Sequence, residues 1–206
     1  MDLNQSQRNK GASYSEEKAV NSYDFDQTIF YPDSSYCFVM YCLKKYPGAV
    51  LKAVPGAVWA GLGCLRRKAE VKELKEHIFA FLKDLQNVDE LVKDFWEQHR
   101  GNIASWYLAQ KRPDDLIISA SPEFLLKPIA EELGVHLIAT RMDKHTGKIT
   151  GPNCHDKEKV RRFYEAYPGG HTEEFYSDSL SDSPMAEIAD RAFIVDRDKI
   201  SPWPNK

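Results

Sequence analysis

The chain has little that would mark a nucleic-acid binder, a zinc protein or a disulfide scaffold. Its 28 lysines and arginines are outnumbered by 31 aspartates and glutamates, a formal net charge of −3. No broad basic footprint for DNA or RNA is expected from that balance. Cys37, Cys42, Cys64 and Cys154 form no CxxC pair, which argues for idle thiols in a reducing cytosol and a cytoplasmic location. Residues 1–19 are polar and lack the apolar core of a signal peptide, so they read as a disordered lead-in. No internal repeat or low-complexity tract stands out.

What is present is ordinary in amount: 206 residues, 42% hydrophobic and 29% charged. That is enough for one soluble domain with a large insertion, or for two small domains. One stretch departs from the average. Tyr46 to Leu65, YPGAVLKAVPGAVWAGLGCL, carries a single charge at Lys52 and runs directly into Arg66-Arg67-Lys68. Its length approaches a membrane span, yet Pro47, Pro55 and four glycines make it a poor continuous helix. Three readings follow: an apolar part of a helical insertion, which is preferred; weak membrane-surface association through 46–68; and a full span.

Apolar runs that end in polar or acidic residues recur at Val20 to Phe25, Leu116 to Ile118, Val135 to Ala139, Phe175 to Tyr176 and Ala192 to Val195. With helices between them they read as strands of a parallel sheet. The roughly ninety residues between the first two runs look wholly helical. There Leu74, Ile78, Phe81, Leu82 and Leu85 repeat at helical spacing, and Asn87 with Glu90 resembles a capping arrangement. The expectation is an α/β fold: a Rossmann-like, doubly wound parallel sheet over 20–33 and 110–206, with a helical cap at 34–109 inserted after the first strand. Thr140 to Cys154, with Gly147 and Gly151-Pro152, reads as a hairpin.

Chemistry concentrates at the expected strand ends, where open α/β sheets bind ligands. In Asp24-Phe25-Asp26-Gln27-Thr28 the two carboxylates share one side of an extended backbone while Phe25 points the other way. Such close like charges are tolerable if a divalent cation sits between them or if one carboxyl stays protonated. Both conditions suit attack on a phosphate ester, with one Asp as nucleophile, the other protonating the leaving oxygen, and Mg2+ cancelling charge. Ser119-Ala120-Ser121-Pro122-Glu123 follows a strand and opens a helix; Ser121 fits an N-cap and Pro122 the first helical position, which offers N–H donors to a phosphate. Lys159, at the opening of a helix with the apolar face Val160, Phe163, Tyr164 and Tyr167, could offset charge on the phosphoryl group, and spacing alone does not separate it from Lys157. Asp178 and Asp182 in Tyr176-Ser177-Asp178-Ser179-Leu180-Ser181-Asp182 can approach one hard cation, Asp178 directly and Asp182 through water or the lysine.

Taken in order, DFDQT, Ser119 after an apolar strand, Lys159 and the D-x-x-x-D of Asp178 and Asp182 resemble the four motifs of the haloacid dehalogenase superfamily of phosphohydrolases. The likeness runs from about residue 20 to 200, and the helical insertion is similar to the cap of the phosphoserine-phosphatase-like subfamily IB. The resemblance implies Asp24 as nucleophile, Asp26 as general acid and base, Ser119 and Lys159 as phosphate and charge partners, and Thr28, Asp33, Ala120 and Ser121 beside the substrate. It favours Lys159 over Lys157. It implies Mg2+ held by the Asp24 side chain, the Asp26 main-chain carbonyl and Asp178, with Asp182 on the metal or behind it.

Gln27 stands where the family usually has glycine, and Ala120-Ser121-Pro122 stands where phosphoserine phosphatases have two glycines after the serine. Asp33 is a shorter acid than the Glu that meets an amine group in those enzymes. The first reading is therefore a Mg2+-dependent phosphomonoesterase acting on a small phosphorylated metabolite. Alternatives are a lipid-phosphate phosphatase of the phosphatidylglycerophosphate type, a phosphotransferase, a non-enzymatic phospho-receiver and a relative that binds without turnover. Asp26 argues against a dehalogenase, because a departing halide needs no proton.

Overall fold

The computed structural model describes residues 19–65 and 70–204; the lead-in at 1–18 and the trio Arg66-Arg67-Lys68 lie outside the described residues. The first strand, β1 (Ala19–Tyr23), is followed by α1 (Ser34–Lys45), α2 (Pro47–Leu65), α3 (Val71–Ile78), α4 (Val88–His99) and α5 (Ser105–Gln110) before the chain returns to the sheet at β2 (Leu116–Pro122). The remainder alternates: α6 (Glu123–Leu133), β3 (His136–Thr140), α7 (Lys157–Ala166), β4 (His171–Ser177), α8 (Ser183–Ile188), β5 (Ala189–Asp196) and β6 (Lys199–Pro202).

The strands form one sheet in the order β3-β2-β1-β4-β5-β6. Every pairing is parallel except the antiparallel edge pair β5–β6. Alternation along the strands feeds two cores, one on each face, as a sheet covered on both sides requires. Leu116, Ile118 and Phe175 join Val20, Phe163 and Met185 on one face, while Ile117 and Tyr176 join Tyr23, Phe95 and Leu125 on the other. Tyr23 stacks on Tyr176 with ring centroids 4.9 Å apart, and Tyr176 stacks on Phe193 at the same spacing.

Each expected strand coincides with an observed one; β6, four residues long and ending in Pro202, was not anticipated. The expected hairpin is present as an antiparallel bridge between Met142 and Ile149 around a turn at Gly147. Three local expectations need correction. The helix begun at Val71 tightens at Phe79 into a 3-10 segment, Phe79–Asp84. Asn87 adopts a left-handed backbone and makes no side-chain cap on α4. Most visibly, Pro47–Leu65 is one helix despite Pro55, because tertiary contacts outweigh the single lost hydrogen bond.

Strand order reverses between β1 and β4, so the crevice beyond their carboxyl ends is where a ligand site is expected in such a sheet.

Candidate active site

Asp24 lies one residue past β1, its N–H still bonded to the Tyr176 carbonyl of β4 at 2.8 Å. The strand therefore ends before the two carboxylates, and a tight loop aims them instead. Ile29 and Phe30 both donate to the Phe25 carbonyl at 3.0 Å, and the Phe25 ring is anchored against Phe30 and Trp96. Closing that loop puts Gln27 at φ 60°, a left-handed conformation that favours glycine and that glutamine adopts only at some cost in strain.

Three of the expected residues meet at one ammonium group. Lys159 Nζ donates to Asp24 Oδ1 and to Asp182 Oδ2, each at 2.7 Å. Its side chain is only 2% exposed, whereas Lys157 sits on the exposed side of the same helix. Burial alone pushes the Lys159 ammonium down, but two carboxylates in contact more than offset it and hold the group charged. Burial lifts the Asp24 carboxyl, with Lys159 pulling against it. Asp182 also accepts from Ser177 Oγ at 2.8 Å, so one of its oxygens is shared by the lysine and the serine. Its other oxygen is buried without a hydrogen-bond partner.

Asp26 faces a second cluster. It accepts from the Ser34 N–H at 2.6 Å and from Ser121 Oγ at 2.5 Å. Burial, reinforced by the charge of Asp33, pushes its carboxyl up to about 7. Here the structure separates the two serines. Ser121 is the hydroxyl on the carboxylate, while Ser119, equally buried, accepts from the Ser121 N–H at 3.1 Å and stands behind it. A register shift between Ser119 and Pro122 in the β2–β3 ladder re-aims the strand end. Ser121 is consequently not a helix cap; Pro122 takes that place and α6 begins at Glu123.

The other expected substrate-lining groups have structural duties. Thr28 is buried and its Oγ1 accepts from the Asp178 N–H at 2.9 Å, tying the β4 loop to the β1 loop. Asp33 caps α1 by accepting from the Tyr36 N–H. The Ala120 carbonyl accepts from Lys75 Nζ and Thr140 Oγ1, both at 2.8 Å.

Lys75 has no local sequence signal. From α3 it reaches Ala120 and Asn153 Oδ1, the latter at 3.0 Å, both neutral acceptors. Burial pushes its ammonium down, against the pull of Asp26, Asp33 and Asp24. Asn153 in turn accepts from Thr140 Oγ1 at 3.1 Å. Only contacts distant in sequence reveal either residue.

The donors fit a hard divalent cation. Asp178 is pushed up to about 6 by burial and then by the charge of Asp24, so the two carboxylates repel each other and a cation bound by both would relieve that repulsion. Among the described residues no cluster of three or more His, Cys, Asp or Glu side chains converges as a metal cage. An ion here would draw its remaining ligands from main-chain oxygen and water, which is the habit of Mg2+. All four cysteines are free thiols.

Comparison with known proteins identifies the family and the fold. The profile of the haloacid dehalogenase-like hydrolase family matches residues 22–187. The protein CicA of Caulobacter vibrioides is 27% identical over 191 residues, covering 84% of both chains. A Mycobacterium tuberculosis protein named as a probable phosphatase is 38% identical over 95 residues, 42% of this chain. The chain spans only 33% of that relative's length. A solved structure of unknown function from Bordetella pertussis superposes with a TM-score of 0.72 at 22% identity, covering 85% of this chain and 88% of that one. A phosphoserine phosphohydrolase-like protein from Francisella tularensis gives 0.53 at 13% identity, over 85% and 86%. Both structural likenesses concern the fold.

Proposed function

This chain belongs to the haloacid dehalogenase-like hydrolases, and from that premise we propose that it is a Mg2+-dependent phosphomonoesterase that passes the phosphoryl group through Asp24. The observation that carries the reading is the division of labour between two carboxylates in one cleft. Asp24 is bonded to a buried ammonium, while Asp26 is held near 7 by burial and neighbouring charge. Two acids whose surroundings differ in this way are suited to different roles.

Asp24 attacks phosphorus in line, forming an aspartyl phosphate as the bond to the ester oxygen breaks. Asp26, carrying the proton that its environment favours near neutrality, delivers it to that departing oxygen. The same carboxylate then takes a proton from water as the water oxygen attacks the aspartyl phosphate, which releases inorganic phosphate and restores Asp24. Lys159 stays charged throughout and offsets the negative oxygens, with Asp182 fixing its position. Ser121, whose hydroxyl donates to Asp26 in the free protein, would turn that hydroxyl to an incoming phosphate oxygen, with Ser119 behind it on the Ser121 N–H. Asp24, Asp178 and the Asp26 main-chain carbonyl would hold Mg2+, which supplies charge neutralisation between carboxylate and phosphate.

The helical segment 34–109 acts as a cap, and Lys75, reaching from it to Ala120 near the end of β2, holds it down and meets the anionic part of a small phosphorylated substrate. Turnover of p-nitrophenyl phosphate with Mg2+, abolished by EDTA, is the direct assay. Many turnovers per molecule support the proposal, whereas no release of nitrophenol with any divalent metal points to a receiver or to a relative that only binds.

A further inference from the structure

The helix α2 is built inside out. Its large apolar side chains point to solvent: Leu51 is 58% exposed, Val58 56%, Trp59 69% and Leu65 83%, with Val54 and Leu62 beside them. At 100° per residue, positions 51, 54, 58, 62 and 65 fall on one stripe and Trp59 on its edge. The opposite face carries small residues, including Ala53, Gly56, Ala57 and Ala60, and this is the face that packs on α1, α3 and the 3-10 segment. A Cβ at Gly56 would collide with the His77 ring of the 3-10 segment's neighbour α3, so that side is already filled. Only 11% of the helix's apolar window is buried. A contiguous apolar face of this kind, on a helix about 28 Å long, marks a surface for a partner.

Charge identifies the partner. The helix contains no acidic residue; Lys52 flanks the exposed stripe with its side chain 75% exposed, and Asp84, its one ion-pair neighbour among the described residues, is 4.0 Å away. Lys44 precedes the helix, and the sequence continues past it with Arg66-Arg67-Lys68. A second copy docked on this face would set cation against cation. A surface both apolar and anionic satisfies the stripe and its basic flanks together, and a bilayer bearing acidic headgroups is such a surface. Because the inner face is engaged with the rest of the protein, the helix lies along that surface and does not cross it.

We infer that α2 docks the protein on an anionic membrane surface, with the Leu51–Leu65 stripe in the acyl boundary and Lys52 among the headgroups. The inference stands on this surface alone and is independent of the chemistry in the cleft. The intact protein is sedimented with vesicles of phosphatidylcholine, or of equal parts phosphatidylcholine and phosphatidylglycerol, at low and high salt. Pelleting is expected with the mixed vesicles alone, and it declines as salt rises. Val58→Glu with Leu62→Glu, both exposed, should weaken binding at least about tenfold, with hydrolysis of soluble p-nitrophenyl phosphate unchanged. The blue shift of tryptophan emission on binding should vanish in Trp59→Phe. The inference is overturned if the unmodified protein stays in the supernatant with mixed vesicles at low salt, or if the Glu pair pellets equally well. It is overturned too if light scattering finds a dimer that the Glu pair splits.

Discussion

A carboxyl group that changes its proton near neutrality, placed beside a nucleophile, governs which esters can be cleaved. Asp26 is pushed up to about 7 by burial and by Asp33, so its protonated fraction is high below that pH and falls as pH rises through it. An alkyl phosphate needs the proton to release its alkoxide; p-nitrophenyl phosphate does not. For an alkyl phosphate, kcat/KM should fall above about pH 7, while the nitrophenyl ester lacks that limb. Asp26→Asn should lower kcat/KM roughly 10²–10⁴-fold on the alkyl ester and much less on the aryl one. Equal losses on both would assign Asp26 to folding or positioning. Lys75 makes a different prediction, because its bonds reach the cleft from outside the sheet. Lys75→Met should raise KM for phosphate esters roughly tenfold or more with kcat little changed, and Lys75→Arg should recover part of the loss. A change in melting temperature with KM intact would make Lys75 structural only.

At this scale the sequence was readable where chemistry and helical phase coincide. Lys159 was separable from Lys157 by resemblance, and burial explains the preference: Lys159 turns toward the sheet and Lys157 toward solvent. Ser119 was named by resemblance and Ser121 stood beside it; near the register shift at the strand end it is the Ser121 hydroxyl that meets Asp26, with Ser119 bonded to the Ser121 N–H. Thr28 and Asp33 sit beside the site, yet each is occupied by a backbone N–H, a duty no local pattern announces.

Among the elements, the joint between the hairpin and the helical insertion is the most sensitive to a small change. Gly147 turns the hairpin at φ 73°, and a Cβ there would run into the Phe79 carbonyl. Backbone cannot yield as a side-chain tip can, and the left-handed conformation adds its own strain. Gly147→Ala should therefore destabilise the protein by about 1–3 kcal/mol, read as a lowered denaturation midpoint. An unchanged midpoint would mean that hairpin and 3-10 segment are not in contact in solution. The same contacts explain a misreading: Leu74 to Leu85 has one helical phase in sequence, but Phe79, Phe81 and Leu82 are all buried, and the tighter 3-10 geometry accommodates that packing. Pro55 misled in the opposite direction, since breaker residues weigh less once a helix is held from one side.

The whole molecule follows from a pattern spread along the entire chain, which is why its sheet was legible. Apolar runs ending in polar residues locate β1 to β5, and the helical ninety residues explain the gap between β1 and β2. The edge strand β6 was too short to register, and the two cores are properties of alternation that only the assembled sheet makes visible. What the assembled fold adds is convergence: the loops after β1 and β4, the end of β2, helix α7 and the distant α3 deliver Asp24, Asp178, Ser121, Lys159 and Lys75 to one crevice. The central claim is that Asp24 itself receives the phosphoryl group. Rapid acid quench during turnover of a phosphate ester, followed by borohydride reduction and peptide mass spectrometry, reads this directly. The account predicts homoserine at position 24 and no labelling in Asp24→Asn, which should be inactive; label on another residue, or full turnover by Asp24→Asn, would contradict it.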